Sequence, residues 1–257
     1  MSFIPHTESD TRQMLSVVGV GEIDALFEDI PRQLRFPELG LGPPMSEQEV
    51  LTSLSHLAKE NTDMAAAPVF LGAGAWRHFR PATVDYVLQR GEFYTAYTPY
   101  QAEISQGMLQ AAFEYQSLVC GLTGMDVSNA SHYDGATSLA EGALLALHAS
   151  HGKRSRLVLA PGVTPRYRDV MRTYLRGTGA TLVDAADLCS TEEEIASRVN
   201  GEVAALVVQS PDFLGRLQPL DAYARIAHDA GALLIAIPDP IALGLFKSPG
   251  ELGADIV

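Results

Sequence analysis

The stretch GEVAALVVQSPDFLGRLQPLDAYARIAHDAGALLIAIPDP, residues 201–240, decides the fold class of this chain. It contains an apolar run at 203–209, an amphipathic helical pattern at 220–230 and a second apolar run at 232–237. Short, continuous apolar strands separated by an amphipathic helix are typical of parallel strands that are buried on both faces. The stretch therefore predicts a β-α-β unit.

The same alternation continues on both sides of this unit. Further strands are predicted at 156–160, 180–184 and 254–257, and further helices at 136–149, 165–176 and 191–199. Repeated alternation of this kind predicts an α/β fold with a mostly parallel sheet flanked by helices. Ligands of such sheets bind at the carboxyl ends of the strands.

The sequence before this region has a different character. Residues 1–64 are predicted to form a helical N-terminal segment, in which Ser46 and Glu49 form a capping box for a helix that ends near Lys59. Residues 65–257 are predicted to form one large α/β domain. Its first part, 65–101, is rich in glycine, proline and aromatic residues and is expected to form loops, followed by a long helix at 102–122.

Charge and composition exclude several classes of function. The formal net charge is −13, and an acidic surface repels nucleic acids and anionic membranes. No segment has the pattern of a secretory signal or a membrane helix. The two cysteines, Cys120 and Cys189, are too few and too far apart for a disulfide framework or a zinc site, so we expect reduced thiols and a cytoplasmic protein.

A tyrosine-rich segment, FYTAYTPYQ at 93–101, is the strongest local signal. Tyr94, Tyr97 and Tyr100 follow at three-residue spacing and Gln101 comes next. Phenol rings combine stacking surface with a hydrogen-bonding tip, which suits a cleft or an interface. Ordinary packing of a loop is the alternative, and spacing alone does not separate the two.

Two further segments carry candidate polar residues. Asp134 is predicted to cap the helix at 136–149, close to His132 and Thr137, and free N–H groups at such a helix start can bind phosphate. Capping alone is the alternative, since a carboxylate repels phosphate. Asp239 follows the strand at 232–237, at a carboxyl end where ligands bind, but Asp-Pro is also a common turn dipeptide.

Four segments in order along the chain resemble those of a known family. They are FLGAGAWRHFRP at 70–81, EFYTAYTPYQAEISQGMLQ at 92–110, NASHYDGATSLAEG at 129–142 and DPIALGLFKSPGELGADIV at 239–257. Together they resemble the glycine cleavage system P-protein, and within it the separate subunit 1, which corresponds to the N-terminal half of the one-chain enzyme. The similarity runs from Phe3 to the last residue.

The resemblance implies a fold, a reaction and partners. The fold is the type I fold of transferases that depend on pyridoxal phosphate (PLP). Subunit 1 is expected to pair with glycine dehydrogenase subunit 2 in an α2β2 assembly, with PLP bound by subunit 2. The assembly decarboxylates glycine and passes the aminomethyl group to the lipoyl arm of H-protein. Candidate contributors to the partner's site are Tyr94, Tyr97, Tyr100 and Gln101, and candidate cofactor contacts are Asp239, His132 and Thr137.

The small number of lysines bears on how PLP is held. A PLP enzyme that works alone requires a lysine for the Schiff base. The chain contains Lys59, Lys153 and Lys247, which lie in a helix end, a turn and a polar loop, and all three are expected to be solvated. We therefore expect no Schiff-base lysine on this chain. No set of histidines has the spacing of metal ligands, so no metal site is expected either.

Two other functions remain open at this stage. One is a self-sufficient PLP-dependent aminotransferase or decarboxylase, and the other is a non-enzymatic remnant that binds a partner. The chain also departs from the family pattern, with Trp76 at an expected tyrosine and Gly142 at an expected alanine. Because residues 254–257 begin a strand, we expect a fragment that lacks the C-terminal small domain of the family.

Overall fold

The computed structural model describes residues 5–63, 65, 67–70, 72, 76–184 and 190–257. The chain divides into two compact units, Met1–Pro68 and Val69–Val257. Cys189, and most of the glycine-rich segment at 71–75, lie outside the described residues. None of the helices among the described residues is long and apolar enough to cross a membrane.

The first unit is built from two capped helices. Helix α1 spans Glu8–Val18 and α2 spans Glu47–Lys59, and two short 3-10 helices lie between them at Ile23–Phe27 and Arg32–Leu34. The predicted capping box of α2 is confirmed, since the Ser46 hydroxyl accepts from the Glu49 N–H and the Glu49 carboxylate accepts from the Ser46 N–H. Most side chains of this unit, including the leucines of α2, are exposed.

The second unit contains the sheet. Its strands are β1 (Arg156–Leu159), β2 (Thr181–Asp184), β3 (Val203–Ser210) and β4 (Leu233–Pro238). Its helices are α3 (Ala82–Leu88), α4 (Gly91–Tyr94), α5 (Gln106–Thr123), α6 (Gly135–Ala149), α7 (Pro165–Tyr174), α8 (Glu192–Ala196) and α9 (Leu220–Asp229), and a 3-10 turn lies at Ala242–Gly244.

All strand pairs in the sheet are parallel, in the order β2-β1-β3-β4. Alternate residues of the central strands enter two apolar clusters, as the period of two requires. One cluster includes Val158, Leu206 and Leu234 and packs against α8 and α9, and the other includes Leu157, Val207 and Ile235 and packs against α6 and α7. The predicted α/β class with a mostly parallel sheet is confirmed.

Before the C-terminal segment, the largest differences from the predictions are a later helix start, two additional helices and a shortened helix. The long helix begins at Gln106 rather than at 102, because a turn closed by the Ser105 N–H on the Ala102 carbonyl precedes it. The predicted loop region at 65–101 contains α3 and α4. The helix expected at 191–199 is limited to Glu192–Ala196.

The strand expected at 254–257 is wrong in extent. Ile256 forms an isolated parallel bridge with Ile235, and the Asp255 carboxylate accepts from the Leu234 N–H at 2.7 Å. A side chain therefore takes part in the pairing that a regular strand would make through its backbone. The same carboxylate lies 2.9 Å from His228 Nε2, which ties this segment to α9 as well.

Candidate functional site

The carboxyl ends of β1, β3 and β4 lie at one edge of the sheet because the strands are parallel. The residues that follow these strands at 160–164, 211–218 and 239–241 are therefore neighbours at that edge. Loops at this edge are the usual place for ligands in parallel α/β sheets. A functional site is therefore expected at this carboxyl edge.

A buried carboxylate organises the loop after β3. Asp212 has no exposed surface, and its Oδ1 accepts from the backbone N–H groups of Leu214 and Arg216 at 2.9 Å. Its Oδ2 accepts from Arg216 Nε at 2.8 Å and from Gln218 Nε2 at 2.9 Å. A buried charge is tolerated only with such a complete set of partners. The Asp212 carboxylate thus fixes the shape of the loop.

The loop after β3 also contacts the loop after β1. The Phe213 N–H donates to the Gly162 carbonyl at 2.8 Å, and buried Gln209 accepts from both the N–H and the hydroxyl of Thr164 at 2.9 and 2.8 Å. Thr164 precedes α7, so this contact sets where that helix begins. The carboxyl edge is therefore held together by polar contacts of the loop after β1 with the end of β3 and with the loop that follows it.

Asp239 lies at the same edge, just after β4. Its Oδ1 accepts from the Ile241 N–H at 2.8 Å, as in the turn that Asp-Pro favours. Its Oδ2 lies 3.8 Å from His78 Nε2, and its side chain is 18% exposed. Both oxygens thus face groups of this chain, and a contact of Asp239 with a cofactor stays a prediction.

The start of α6 is occupied by its own cap. Asp134 Oδ1 accepts from the Thr137 N–H and hydroxyl, both at 2.8 Å, so the predicted N-cap is confirmed. The Thr137 backbone contact, followed by its hydroxyl, lowers the pKa of Asp134. Burial, followed by the charge of Asp134, raises the pKa of Tyr167. The carboxylate therefore stays charged at neutral pH and opposes phosphate at this helix start.

His132 contacts a neighbour in the same turn. Its Nε2 lies 2.8 Å from the Asn129 side-chain nitrogen, and the ring is half-buried. Thr137 is engaged by Asp134, as described above. These two candidate residues thus have structural partners within the segment that leads into α6.

The tyrosine-rich segment lines a groove, which we call the tyrosine groove. The groove has a volume of about 750 Å³ and lies between this segment and the start of α5. Tyr97, Tyr100 and Gln101 line it, with Glu92 and Met108 beside them. Tyr97 and Tyr100 are each 87% exposed. Phenol and amide groups are therefore presented together to solvent, available to a ligand or a partner.

Tyr94 is placed differently from the other three candidates. It is the last residue of α4, so the predicted loop begins after it, and its ring is 70% exposed outside the tyrosine groove. Within the part of the chain that the structure describes, no hydrogen bond or ion pair links the groove to Asp239 or to the start of α6. The candidate residues thus lie in separate places, with Tyr97, Tyr100 and Gln101 in the groove, Tyr94 outside it, Asp239 after β4, and His132 and Thr137 at the start of α6.

The lysines are exposed, as predicted. Lys59 ends α2, and Lys153 lies in the turn before β1, at the amino edge of the sheet. Lys247 lines a cavity of about 280 Å³ with Ser210 and Pro238, the last residues of β3 and β4. Of the three lysines, Lys247 is therefore the one whose position most resembles that of a lysine that binds a cofactor. Among the described residues, no three His, Cys, Asp or Glu side chains are grouped so that they could hold a metal ion.

Asp212, Gln209 and His78 were missed by the sequence interpretation. Asp212 and Gln209 follow or end a fully buried strand, which is the same positional signal that singled out Asp239. A search for polar residues at the carboxyl end of β3 would have found Gln209 and Asp212. His78 has no such signal, because its proximity to Asp239 arises only from the fold.

Comparison with known proteins identifies the family. The profile of the glycine cleavage system P-protein matches residues 1–257. The chain belongs to the glycine cleavage system P-protein family. It is 49% identical over 260 residues to the probable glycine dehydrogenase (decarboxylating) subunit 1 of Thermomicrobium roseum, covering 100% of this chain and 58% of the relative. The corresponding protein of Geobacillus kaustophilus is 47% identical over 262 residues, covering 99% and 57%.

Solved structures agree with this membership. A crystal structure of glycine decarboxylase (P-protein) of the glycine cleavage system, in inhibitor-bound form, matches with a TM-score of 0.84 at 45% identity. The match covers 99% of this chain and 57% of that one. A sphingosine-1-phosphate lyase of Burkholderia pseudomallei matches at a TM-score of 0.51 and 17% identity, over 80% and 50% of the chains. The predicted fold of PLP-dependent transferases is thereby confirmed, with the lyase supporting the fold alone.

The chain spans a little over half the length of the relatives it matches. Of the two noted departures from the family pattern, Trp76 is 45% exposed, whereas Gly142 is buried in α6. A Cβ at Gly142 would lie 3.2 Å from Ile256 Cγ2, so an alanine there would require Ile256 to move slightly.

Proposed function

We propose that this chain acts as subunit 1 of glycine dehydrogenase (decarboxylating), together with a second subunit that holds PLP. Membership of the family over the whole chain is the observation that carries the proposal. The substrate is then glycine, and the aminomethyl group passes to the lipoyl arm of H-protein. The assembly is expected to be α2β2.

The residues of this chain do not fit covalent retention of PLP. Lys59 belongs to the first unit, Lys153 lies at the amino edge of the sheet, and the α6 start carries a charged cap that opposes a phosphate group. Bound PLP withdraws electrons from the α-carbon of an amino acid. In the proposed assembly that chemistry belongs to the second subunit.

The tyrosine groove is the contribution we assign to this chain. Tyr97, Tyr100 and Gln101 offer hydroxyl and amide groups on a surface that is open to a partner. Such groups donate hydrogen bonds to a carboxylate and can orient it. We therefore expect these side chains to help position glycine in the partner's site. Tyr94 is expected to contact the partner from outside the groove.

Lys247 supports a second candidate function. It lines a small cavity at the ends of β3 and β4, where a cofactor of a parallel sheet would lie. A PLP enzyme that works alone would use this lysine. Its side chain is exposed, however, whereas a Schiff-base lysine is usually desolvated by its pocket.

A reconstitution assay tests the proposal. The protein, subunit 2 and their mixture are each assayed for glycine-dependent exchange of CO2 in the presence of PLP and H-protein. We expect activity in the mixture and none in either subunit by itself. Full activity of this chain without subunit 2 would favour the Lys247 alternative. A mixture no more active than subunit 2 would favour a partner-binding remnant.

A further inference from the structure

A second groove lies at the amino edge of the sheet, opposite to the carboxyl ends. It has a volume of about 570 Å³, within the range of sites for small molecules. Ser155, just before β1, and Ala180, just before β2, line it, which fixes its position at this edge. We call it the amino-edge groove.

The polar groups of this groove differ from those of the chain as a whole. The chain has 31 acidic residues against 18 lysines and arginines, yet the lining carries the positive charge of Arg154, the imidazoles of His148 and His151, and no acidic residue among those the structure describes. A cleft lined by groups of one sign concentrates ligands of the opposite sign. The lining therefore favours an anion.

The basic groups of the groove are not neutralised within the described chain. The Arg154 guanidinium donates to the carbonyls of Val203 and Ala230 at 2.7 and 2.9 Å, and neither is a carboxylate. His148 and His151 make no side-chain hydrogen bond or ion pair to a described residue. The guanidinium is held rigidly and the two imidazoles remain available to a ligand.

Apart from Ser155 and Thr178, the other side chains of the lining are apolar. Leu144 and Leu147 come from α6 and Ala180 comes from the segment before β2. The Thr178 hydroxyl already donates to the Leu175 carbonyl and accepts from the Ala180 N–H, so it adds little polarity. A bare inorganic anion would leave this apolar surface unused.

From this combination we propose that the amino-edge groove binds a small organic anion that has an apolar body. The anionic group contacts His148 and His151 in the field of Arg154, and the apolar body lies against Leu144 and Leu147. The inference does not rest on the proposed function, since none of these residues belongs to the tyrosine groove or to the carboxyl edge.

Calorimetric titration of the protein with three probes tests the proposal. Benzenesulfonate has both an anionic group and an apolar ring, sulfate has only the charge, and benzyl alcohol has only the ring. We expect benzenesulfonate to bind at least about tenfold more tightly than either of the others, because charge-assisted contacts and apolar burial add. Equal affinity for benzenesulfonate and benzyl alcohol, or no detectable binding of benzenesulfonate, would overturn it.

A double variant locates the binding. His148→Gln with His151→Asn removes both imidazoles, and asparagine tolerates the positive φ of 50° at position 151. We expect the dissociation constant of benzenesulfonate to rise about tenfold or more. The matched control is His56→Gln, at an exposed histidine on α2, which leaves binding unchanged. Unchanged binding in the double variant contradicts the proposal. If that variant does not fold, the comparison of the three probes on the unmodified protein still tests the proposal.

Discussion

At the scale of single residues, Gly162 lies against Asp212 at the carboxyl edge, with no room for a side chain. Gly162 has a φ of +82°, and a Cβ built on it would lie 2.5 Å from Asp212 Oδ2 and 2.8 Å from Asp212 Cβ. Asp212 cannot retreat, because four hydrogen bonds hold its carboxylate. Glycine is therefore required there by both its backbone and its neighbour.

Gly162→Ala is predicted to destabilise the fold strongly. The left-handed backbone costs about 1–2 kcal/mol for alanine, and overpacking adds about 1–3 kcal/mol to the loss in unfolding free energy. Gly177→Ala is the matched control, since Gly177 has a φ of +80° with nothing within 4 Å of the added Cβ. Urea denaturation compares the two. Equal losses would show that the Asp212 contact is unimportant.

The tyrosine groove gives a prediction about turnover. Tyr97→Phe or Tyr100→Phe is expected to lower turnover of the reconstituted complex by about tenfold, because each removes a hydroxyl that is worth about 0.5–1.5 kcal/mol or more when it contacts a charge. Assembly with subunit 2, measured by gel filtration, is expected to change less. Tyr174→Phe, at the end of α7 away from the groove, is the control. An unchanged turnover rate would show that these tyrosine hydroxyls do not contribute to the reaction.

At the scale of elements, the start of α6 depends on one carboxylate. The pKa of Asp134 is lowered from its ordinary value of 3.8 by the backbone and side chain of Thr137. A lowered folded-state pKa means that the cap stabilises fully above that ordinary value, and that this stability is lost as pH falls through the folded pKa.

Acid melting curves test this dependence. Between about pH 5 and pH 3, the melting temperature of the wild type is expected to fall more than that of Asp134→Asn, since asparagine caps a helix without titrating. Asp229→Asn, at the end of α9, removes an exposed carboxylate that is not a cap and is expected to follow the wild type. Parallel curves for wild type and Asp134→Asn would contradict the role of the cap.

Elements with strong local signals could be predicted from the sequence. The apolar runs at β1, β3 and β4, and the caps at Ser46 and Asp134, were found because burial on both faces and capping act through neighbouring residues. The start of α5 and the extent of the segment at 254–257 were predicted wrongly. A turn closed by the Ser105 N–H precedes α5, and the Asp255 carboxylate takes the place of a backbone acceptor beside β4. Neither contact produces a periodic pattern in the sequence.

The site was less predictable than the fold for a related reason. The tyrosine-rich segment was recognised from its composition, and the structure places Tyr97, Tyr100 and Gln101 in one groove. The contact between His78 and Asp239 joins residues far apart in the chain, and so does the contact between Gly162 and Phe213. Such contacts depend on how the strands are ordered, which a single sequence does not state.

At the scale of the whole molecule, large apolar side chains are exposed on α5. Phe113 is 67% and Leu118 is 73% exposed, whereas Leu206 in β3 is fully buried. Exposed apolar surface of this extent is typical of interaction surfaces. These side chains therefore contribute little to the stability of the fold described here.

Substitution separates the two classes of apolar residue. Phe113→Ser with Leu118→Ser is predicted to change the unfolding free energy by no more than about 1 kcal/mol, while fluorescence of a bound apolar dye falls. Leu206→Ala is predicted to cost about 2–5 kcal/mol, because it leaves a cavity in the core. A loss from the α5 double variant as large as that of Leu206→Ala would contradict this distinction.

The central claim is that this chain relies on a second subunit for its PLP. Borohydride reduction of the purified protein with PLP, followed by peptide mass spectrometry, tests it most directly, with subunit 2 treated in parallel as the positive control. The account predicts a stable pyridoxyl group on a lysine of subunit 2 and none on Lys59, Lys153 or Lys247. A stoichiometric pyridoxyl group on Lys247 would contradict it.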